Sequence, residues 1–275
     1  MLLAVSSVQL GGAFAKTLFD EAGPGGTAFL RVVFAALILG ALWRPRLAGR
    51  SSAEWRLIAA YGFVLVAMNL SFYESLDRIP LGIAVTFEFV GPLGVAIAGS
   101  RRPLDLLWVA LAAGGILLLS DFGSADLDGL GVALALLAGC FWAAYILLAA
   151  QVGRRVPGNE GLALGMAIGA VMVAPVGLAD AGSGLLSAEV IAVGFAVAIL
   201  SSAIPYTLEL EALRRLPQGV FGVLMSLEPA AAATAGFIVL GEDLSGREIV
   251  AIALVVTASA GAPGTRPFRR ATRED

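Results

Sequence analysis

Polar residues interrupt this chain at long intervals, and between them run ten mainly apolar stretches, near 2–19, 26–43, 56–74, 80–99, 104–121, 128–150, 160–179, 188–208, 217–240 and 245–262. A helix rising about 1.5 Å per residue needs roughly 20 such residues to cross a hydrocarbon core about 30 Å thick. The pattern therefore predicts an all-α integral membrane protein with ten transmembrane helices. The first stretch has no basic leading region and runs straight into Asp20-Glu21 and a second apolar segment. That predicts a true helix rather than a cleaved leader, short at its front end, as from a late start codon.

The charges between the stretches predict an orientation. Arg44, Arg46, Arg50 and Arg56, Arg101-Arg102, Arg154-Arg155, Arg214-Arg215 and the tail residues Arg266, Arg269, Arg270 and Arg273 make 14 of the 18 basic residues, and all fall on one side. The opposite loops carry Asp20-Glu21, Asp121, Asp126, Asp128, Asp180, Glu189 and Glu242-Asp243, with only Arg78 and Arg247 among them. Basic loops stay cytoplasmic. Both termini are thus expected inside, in a multi-pass protein of the inner or plasma membrane.

One stretch occurs twice. Pro80–Pro92 reads PLGIAVTFEFVGP, and 137 residues later Pro217–Pro229 reads PQGVFGVLMSLEP. Pro80/Pro217, Gly82/Gly219 and Pro92/Pro229 coincide, and the flanks add Glu74/Glu211, Leu76/Leu213 and Arg78/Arg215. The copies lie five spans apart, an odd number, so they cross the bilayer in opposite senses. The expected architecture is two inverted five-helix repeats, residues 1–122 and 126–264, followed by a basic tail, 265–275. Inverted repeats are typical of secondary transporters, with the substrate site near the midplane. Small residues at Gly161, Gly165 and Gly169, and at Gly131, Ala135 and Gly139, form ridges that let helices approach closely.

Composition narrows the chemistry. With 59% hydrophobic and 14% charged residues there is too little polar surface for a soluble fold, and a net charge of −3 does not suggest a nucleic-acid partner. The absence of His and the lone Cys140 leave only carboxylates as ligands, which argues against a zinc or copper site and excludes a histidine relay or an internal disulfide. No cofactor is expected. The run GGAFAKT is no phosphate loop, because Ala15 precedes Lys16 and no strand leads into it. No nucleophile stands beside a base, so an enzyme is not expected.

Each repeat places a carboxylate in its apolar segment, Glu88 and Glu228, near Pro92 and Pro229. A charge at mid-bilayer costs from about 3 to more than 10 kcal/mol. In the repeat alignment Glu88 matches Met225 and Gly91 matches Glu228, so the acids are offset by three residues, close to one helical face. Both are expected to face one cavity, where Pro92 and Pro229 break the helix and free backbone carbonyls. The bland alternative is a protonated carboxyl bonded to a neighbouring helix. Lys16 and Arg31 sit near one end of their spans, where snorkelling or a salt bridge competes with a contact to a substrate carboxylate. Asn69, Trp142 and Tyr145 suit a cavity lining, as do Tyr206 and Glu209, although span-end anchoring or capping would also explain Tyr73, Tyr206 and Glu209.

The runs PLGIAVTFEFVGPL, SRRPLDLLWVALAAGG, CFWAAYIL, AILSSAIPYTLELEALRRLP and FGVLMSLEPAAAATAG resemble the EamA family of the drug/metabolite transporter superfamily, and within it the threonine/homoserine exporter branch. The resemblance covers nearly the whole chain. It implies two inverted five-helix halves around a central cavity and export of small amino acids against proton entry. The family cavity is lined by helices 1, 3, 4, 6, 8 and 9, which here would supply Lys16, Asn69, Glu88, Trp142, Tyr145, Tyr206 and Glu228. Expected partners are an amino acid, protons and lipid, with a homodimer admitted. Other amino acids, nucleobases or amphiphilic drugs remain open as cargo, and a non-transporting membrane scaffold is the reading of another class.

Overall fold

The computed structural model describes residues 2–98, 103–119, 127–215, 225 and 227–264, and the described residues are helices joined by short turns, with no strand among them. Arg101-Arg102, Asp121, Asp126, Pro217, Gly219 and the tail 265–275 lie outside the described residues. The helices are α1 (Leu2–Lys16), α2 (Phe19–Trp43), α3 (Ser52–Leu76), α4 (Leu81–Glu88), α5 (Val90–Ala98), α6 (Pro103–Leu119), α7 (Gly129–Arg155), α8 (Glu160–Ala181), α9 (Ala188–Ala198), α10 (Ile204–Arg215), α11 (Glu228–Ala235) and α12 (Gly246–Gly264). A 3-10 turn follows α8, and wide π turns follow α9 (Ile199–Ala203) and α11 (Gly236–Leu240). Helices α2, α3, α7, α8 and the continuous run Ala188–Glu209 are long and apolar enough to cross a membrane.

Polarity is distributed inside out. Val171 is 75% exposed and Ile238 70%, with Phe63 and Phe237 also outside, whereas Arg31, Asn69, Glu88, Ser201, Ser202 and Glu228 are buried. An apolar exterior around a polar interior is what hydrocarbon solvent selects, and the chain is a multi-pass membrane protein.

Helix starts follow local chemistry. Ser51 caps α3 in a reciprocal box with Glu54, since the Ser51 hydroxyl accepts from Glu54 N at 3.2 Å and Glu54 Oε2 accepts from Ser51 N at 2.8 Å. Helix α2 is bent where Gly23 adopts φ 64°, ψ 165°, a conformation open essentially to glycine. Pro24 restarts the helix, and Asp180, from the end of α8, accepts from Gly25 N at 2.7 Å. One helix thereby caps a second.

Packing joins α2 to α8, α3 to α7 and α8, α6 to α12, and α4 to α11, while α1 lies against the α9–α10 run and α11. Glycines set the closest approaches. A Cβ at Gly139 of α7 would stand 2.5 Å from the Glu88 carbonyl oxygen, one at Gly62 of α3 would stand 2.5 Å from that of Gly165 in α8, and one at Gly82 of α4 would stand 2.8 Å from the Cα of Ala233 in α11. Gly165 and Gly169 of the α8 ridge press on Tyr61 and Val66 of α3, so both ridges read from the sequence are packing surfaces.

Two ionic groups mark opposite ends of the bundle. At one, the Arg50 guanidinium pairs with Glu160, which also accepts from Arg46 N at 3.1 Å. At the other, Asp128 caps α7, its Oδ1 accepting from Leu130 N at 2.8 Å and Gly131 N at 3.0 Å, and Arg78 reaches its Oδ2 at 3.4 Å. The Gly131 N–H, then the Leu130 N–H and Arg78, hold the Asp128 carboxyl below the usual carboxylate range.

Gly139→Leu is expected to destabilise the protein by about 1–3 kcal/mol through overpacking, read as a lowered thermal midpoint in detergent. Gly153→Leu is the control, because nothing lies within 4 Å of a Cβ there. A carboxyl held low in the folded state stabilises above its unfolded value, and that contribution is lost as pH falls through the folded value. Asp128→Asn should therefore remove part of the acid-side loss of stability, seen by comparing midpoints of variant and parent across an acid pH series.

Candidate functional site

Two prolines, Pro205 and Pro92, interrupt helical bonding around one region of the interior, and a third, Pro229, stands in the first turn of a helix there. Pro205 has no N–H to offer the Ser201 carbonyl four residues earlier. The π turn before it shifts the ladder further, because Ile204 N–H bonds the Ile199 carbonyl and bypasses Leu200. Both freed carbonyls find side chains from elsewhere. Ser7 Oγ of α1 donates to Leu200 O at 2.7 Å, and Arg31 Nη2 of α2 donates to Ser201 O at 2.7 Å. Pro92 likewise leaves the Glu88 carbonyl without its helical donor, and that carbonyl lies against Gly139. The α4–α5 junction falls at Phe89, directly after Glu88, and α11 begins at Glu228 with Pro229 in its first turn.

These junctions border a chamber lined by Val8, Gln9 and Gly12 of α1, Arg31 of α2, Met68, Asn69 and Phe72 of α3, Glu88 of α4, Trp142 and Tyr145 of α7, Tyr206 and Glu209 of α10, and Glu228 of α11. About 70 Å³ is open to the centres of water-sized molecules, enough for a handful of waters or a small polar solute. Aromatic rings form part of the wall. Tyr61 stacks on Tyr145 at 5.4 Å, Tyr145 meets Tyr206 at 6.2 Å, and Phe89 meets Trp142 edge-on at 5.5 Å. Asn69 is buried and held by a bond from its Nδ2 to Leu65 O at 2.7 Å. Among the described residues, no group of three or more His, Cys, Asp or Glu could hold a metal ion.

Seven of the eight expected side chains, Glu88, Glu228, Asn69, Trp142, Tyr145, Tyr206 and Glu209, meet at this chamber, and Pro92 and Pro229 sit beside its two buried acids. Lys16 does not line it. It lies seven residues, about 10 Å of helical rise, beyond Gln9 toward the end of α1. There Lys16 Nζ donates to Glu242 Oε1 at 2.7 Å and Ile79 O at 3.2 Å, while Glu242 Oε2 accepts from Leu81 N at 2.9 Å. The salt-bridge alternative is the one this geometry takes. Helix α1 instead supplies Gln9, a residue the sequence pattern does not single out, because one amide in an apolar helix carries little signal.

Arg31 also differs from expectation. The sequence places it near the start of a span running from 26 to 43, but α2 begins at Phe19 and continues across the Gly23 bend, so Arg31 lies midway along the helix. It is 5% exposed, with Nε donating to Ser202 Oγ at 2.9 Å and Nη1 to the Tyr73 hydroxyl at 3.3 Å. Tyr73 is fully buried rather than an interfacial anchor.

Comparison with known proteins adds four findings. Residues 129–262 match the model of the EamA-like transporter family. The chain is 45% identical to "Threonine/homoserine exporter RhtA" of Salmonella typhimurium (strain SL1344) and of Escherichia coli (strain K12), covering 95% of this chain and 89% of each relative. It is 25% identical to "Uncharacterized transporter YwfM" of Bacillus subtilis (strain 168), over 83% of this chain and 80% of that one. A protein of known crystal structure shares the fold, with a TM-score of 0.61 at 21% identity over 95% of this chain and 96% of its own.

Lys16 and Glu242 form a partly buried pair, 24% and 15% exposed. Removing either partner alone should cost about 1–3 kcal/mol, since the other is left without its partner, and Lys16→Ala combined with Glu242→Ala should cost less than the sum. A double-mutant cycle on thermal midpoints measures the difference, and strict additivity would show that the pair contributes nothing.

Proposed function

The chain belongs to the EamA-like transporter family, and from that premise we propose that it exports small amino acids of the threonine/homoserine kind across the inner membrane by proton antiport. It is a transporter and not an enzyme. The observation that carries the proposal is the chamber itself, a small buried polar space where Glu88, Glu209 and Glu228 converge from three helices. Its size favours a small metabolite over a bulky amphiphile. Carboxyl groups in a low-dielectric, solvent-reachable site are suited to taking and releasing protons as cargo passes. In this reading Glu88 and Glu228 couple protons to transport, while Asn69, Trp142, Tyr145, Tyr206 and Glu209 shape the site. Lys16 acts at the end of the bundle, where its bond to Glu242 joins α1 to the segments around Leu81 and Glu242.

We further propose ten spans in two inverted halves, 1–122 and 126–264, with both termini cytoplasmic. The helix pairings support this. Counting spans in order, α4 with α5 is the fourth, α6 the fifth, α7 the sixth, α8 the seventh, α9 with α10 the eighth, α11 the ninth and α12 the tenth. Exchanging each span with the one five places on turns the α3–α7 contact into the contact of the α9–α10 run with α1, and the α4–α7 contact into that of α11 with α1. The pairs α2–α8, α4–α11 and α6–α12 map onto themselves. A two-fold axis in the membrane plane produces such a pattern.

Expression in a strain poisoned by excess threonine or homoserine should confer resistance, and unchanged sensitivity despite good membrane expression would eliminate that cargo. In inverted vesicles with an imposed pH gradient, Glu88→Gln and Glu228→Gln should each reduce gradient-driven amino-acid accumulation at least about tenfold, the scale of a lost charge-assisted contact. Unimpaired accumulation in both variants would refute the proton coupling while leaving transport intact.

A further inference from the structure

We infer that Arg31 is a carboxylate-binding subsite of the chamber, holding the acid group of the cargo through two N–H donors aimed as a fork, while the acidic wall opposite receives its ammonium group. The inference rests on the transporter reading and concerns which part of the cargo is recognised, and where.

A guanidinium carries five N–H donors, one on Nε and two on each Nη. In the structure Nε bonds Ser202 Oγ at 2.9 Å, one Nη1 donor bonds the Tyr73 hydroxyl at 3.3 Å and one Nη2 donor bonds Ser201 O at 2.7 Å. The Tyr73 ring centroid lies 5.5 Å from the guanidinium carbon. These contacts fix the plane of the group, and they account for why a cation is held beside the π turn. They do not account for the remaining donor on each Nη, for which the described residues offer no bond. One free donor on each terminal nitrogen is the arrangement that engages both oxygens of a carboxylate side by side.

The charge of Arg31 is also unmatched at contact range. It is buried and lines the chamber, yet among the described residues no carboxylate is paired with it at contact range. A buried cation is costly unless it is paired. Three carboxylates border the same space without closing on it, Glu88, Glu209 and Glu228. A chamber with one guanidinium and an acidic remainder is complementary to a zwitterion, one end anionic and the other cationic. Amino alcohols, amides and neutral bases lack the group that would satisfy Arg31.

Thermal stabilisation of the full-length protein in detergent tests this with L-threonine, L-threoninol, which lacks the carboxylate, and 3-hydroxybutyrate, which lacks the ammonium. The parent protein should be stabilised by L-threonine and, more weakly, by 3-hydroxybutyrate, with threoninol requiring at least about tenfold higher concentration. Arg31→Gln should lose the preference for L-threonine over threoninol. Arg31→Lys keeps the charge and a donor for the Ser201 carbonyl, so it decides the matter should the first variant fail to fold, and about tenfold weaker carboxylate binding is expected from the lost fork. If 3-hydroxybutyrate binds in an Arg31-dependent way and L-threonine does not, the amino-acid cargo is wrong and the subsite stands. The subsite is overturned if no carboxylate stabilises the parent, if a folded Arg31→Gln keeps the preference, or if Arg31→Lys binds carboxylates as the parent does.

Discussion

Inside a bilayer a backbone carbonyl has no water to turn to, and the hydrogen bond from Arg31 to the Ser201 carbonyl meets that constraint at the centre of this protein. Pro205 and the π turn create the deficit, and α2 supplies the answer from across the bundle. The same turn sends its Leu200 carbonyl to Ser7 of α1. Three helices are therefore tied together by main-chain groups that a regular helix would have satisfied within itself. Arg31, which makes the first of these bonds, and Tyr206, next to Pro205, both line the chamber.

The acids follow a similar logic. Glu88 closes α4 just before the Phe89 junction, and Glu228 opens α11, so each stands where its helix is interrupted rather than within an unbroken ladder. Gly82 lets α4 and α11 approach closely, and Gly139 seats the Glu88 backbone on α7. Side-chain position thus depends on residues that have no side chain at all. The inside-out polarity supplies the remaining condition, because an exterior of Phe63, Val171 and Phe237 leaves the polar groups no stable place except the interior.

Much of this was legible in the residue pattern. A carboxylate amid apolar residues has few acceptable environments, so Glu88 and Glu228 announced themselves, while Asn69, Trp142, Tyr145, Tyr206 and Glu209 stood out as polar or aromatic groups within or at the ends of apolar spans. Lys16 was harder, since a cation seven residues past Gln9 shares its side of α1 but not its depth, and its partner Glu242 is distant in sequence. Arg31 was misplaced because Gly23-Pro24 reads as the end of a loop, whereas the glycine permits a bend and the Asp180 cap restarts the helix there. Such a cap, supplied by another helix, leaves no local trace. The π turn was equally hidden, although Pro205 marks the carbonyl that needed an outside donor.

Glu242 engages different neighbours with its two oxygens, Oε1 meeting the Lys16 ammonium and Oε2 the Leu81 amide at the start of α4. One side chain therefore fastens three segments at a single knot. Displacing α1 breaks the first of these bonds and displacing α4 the second, so Glu242 couples the positions of the two helices at that end of the bundle.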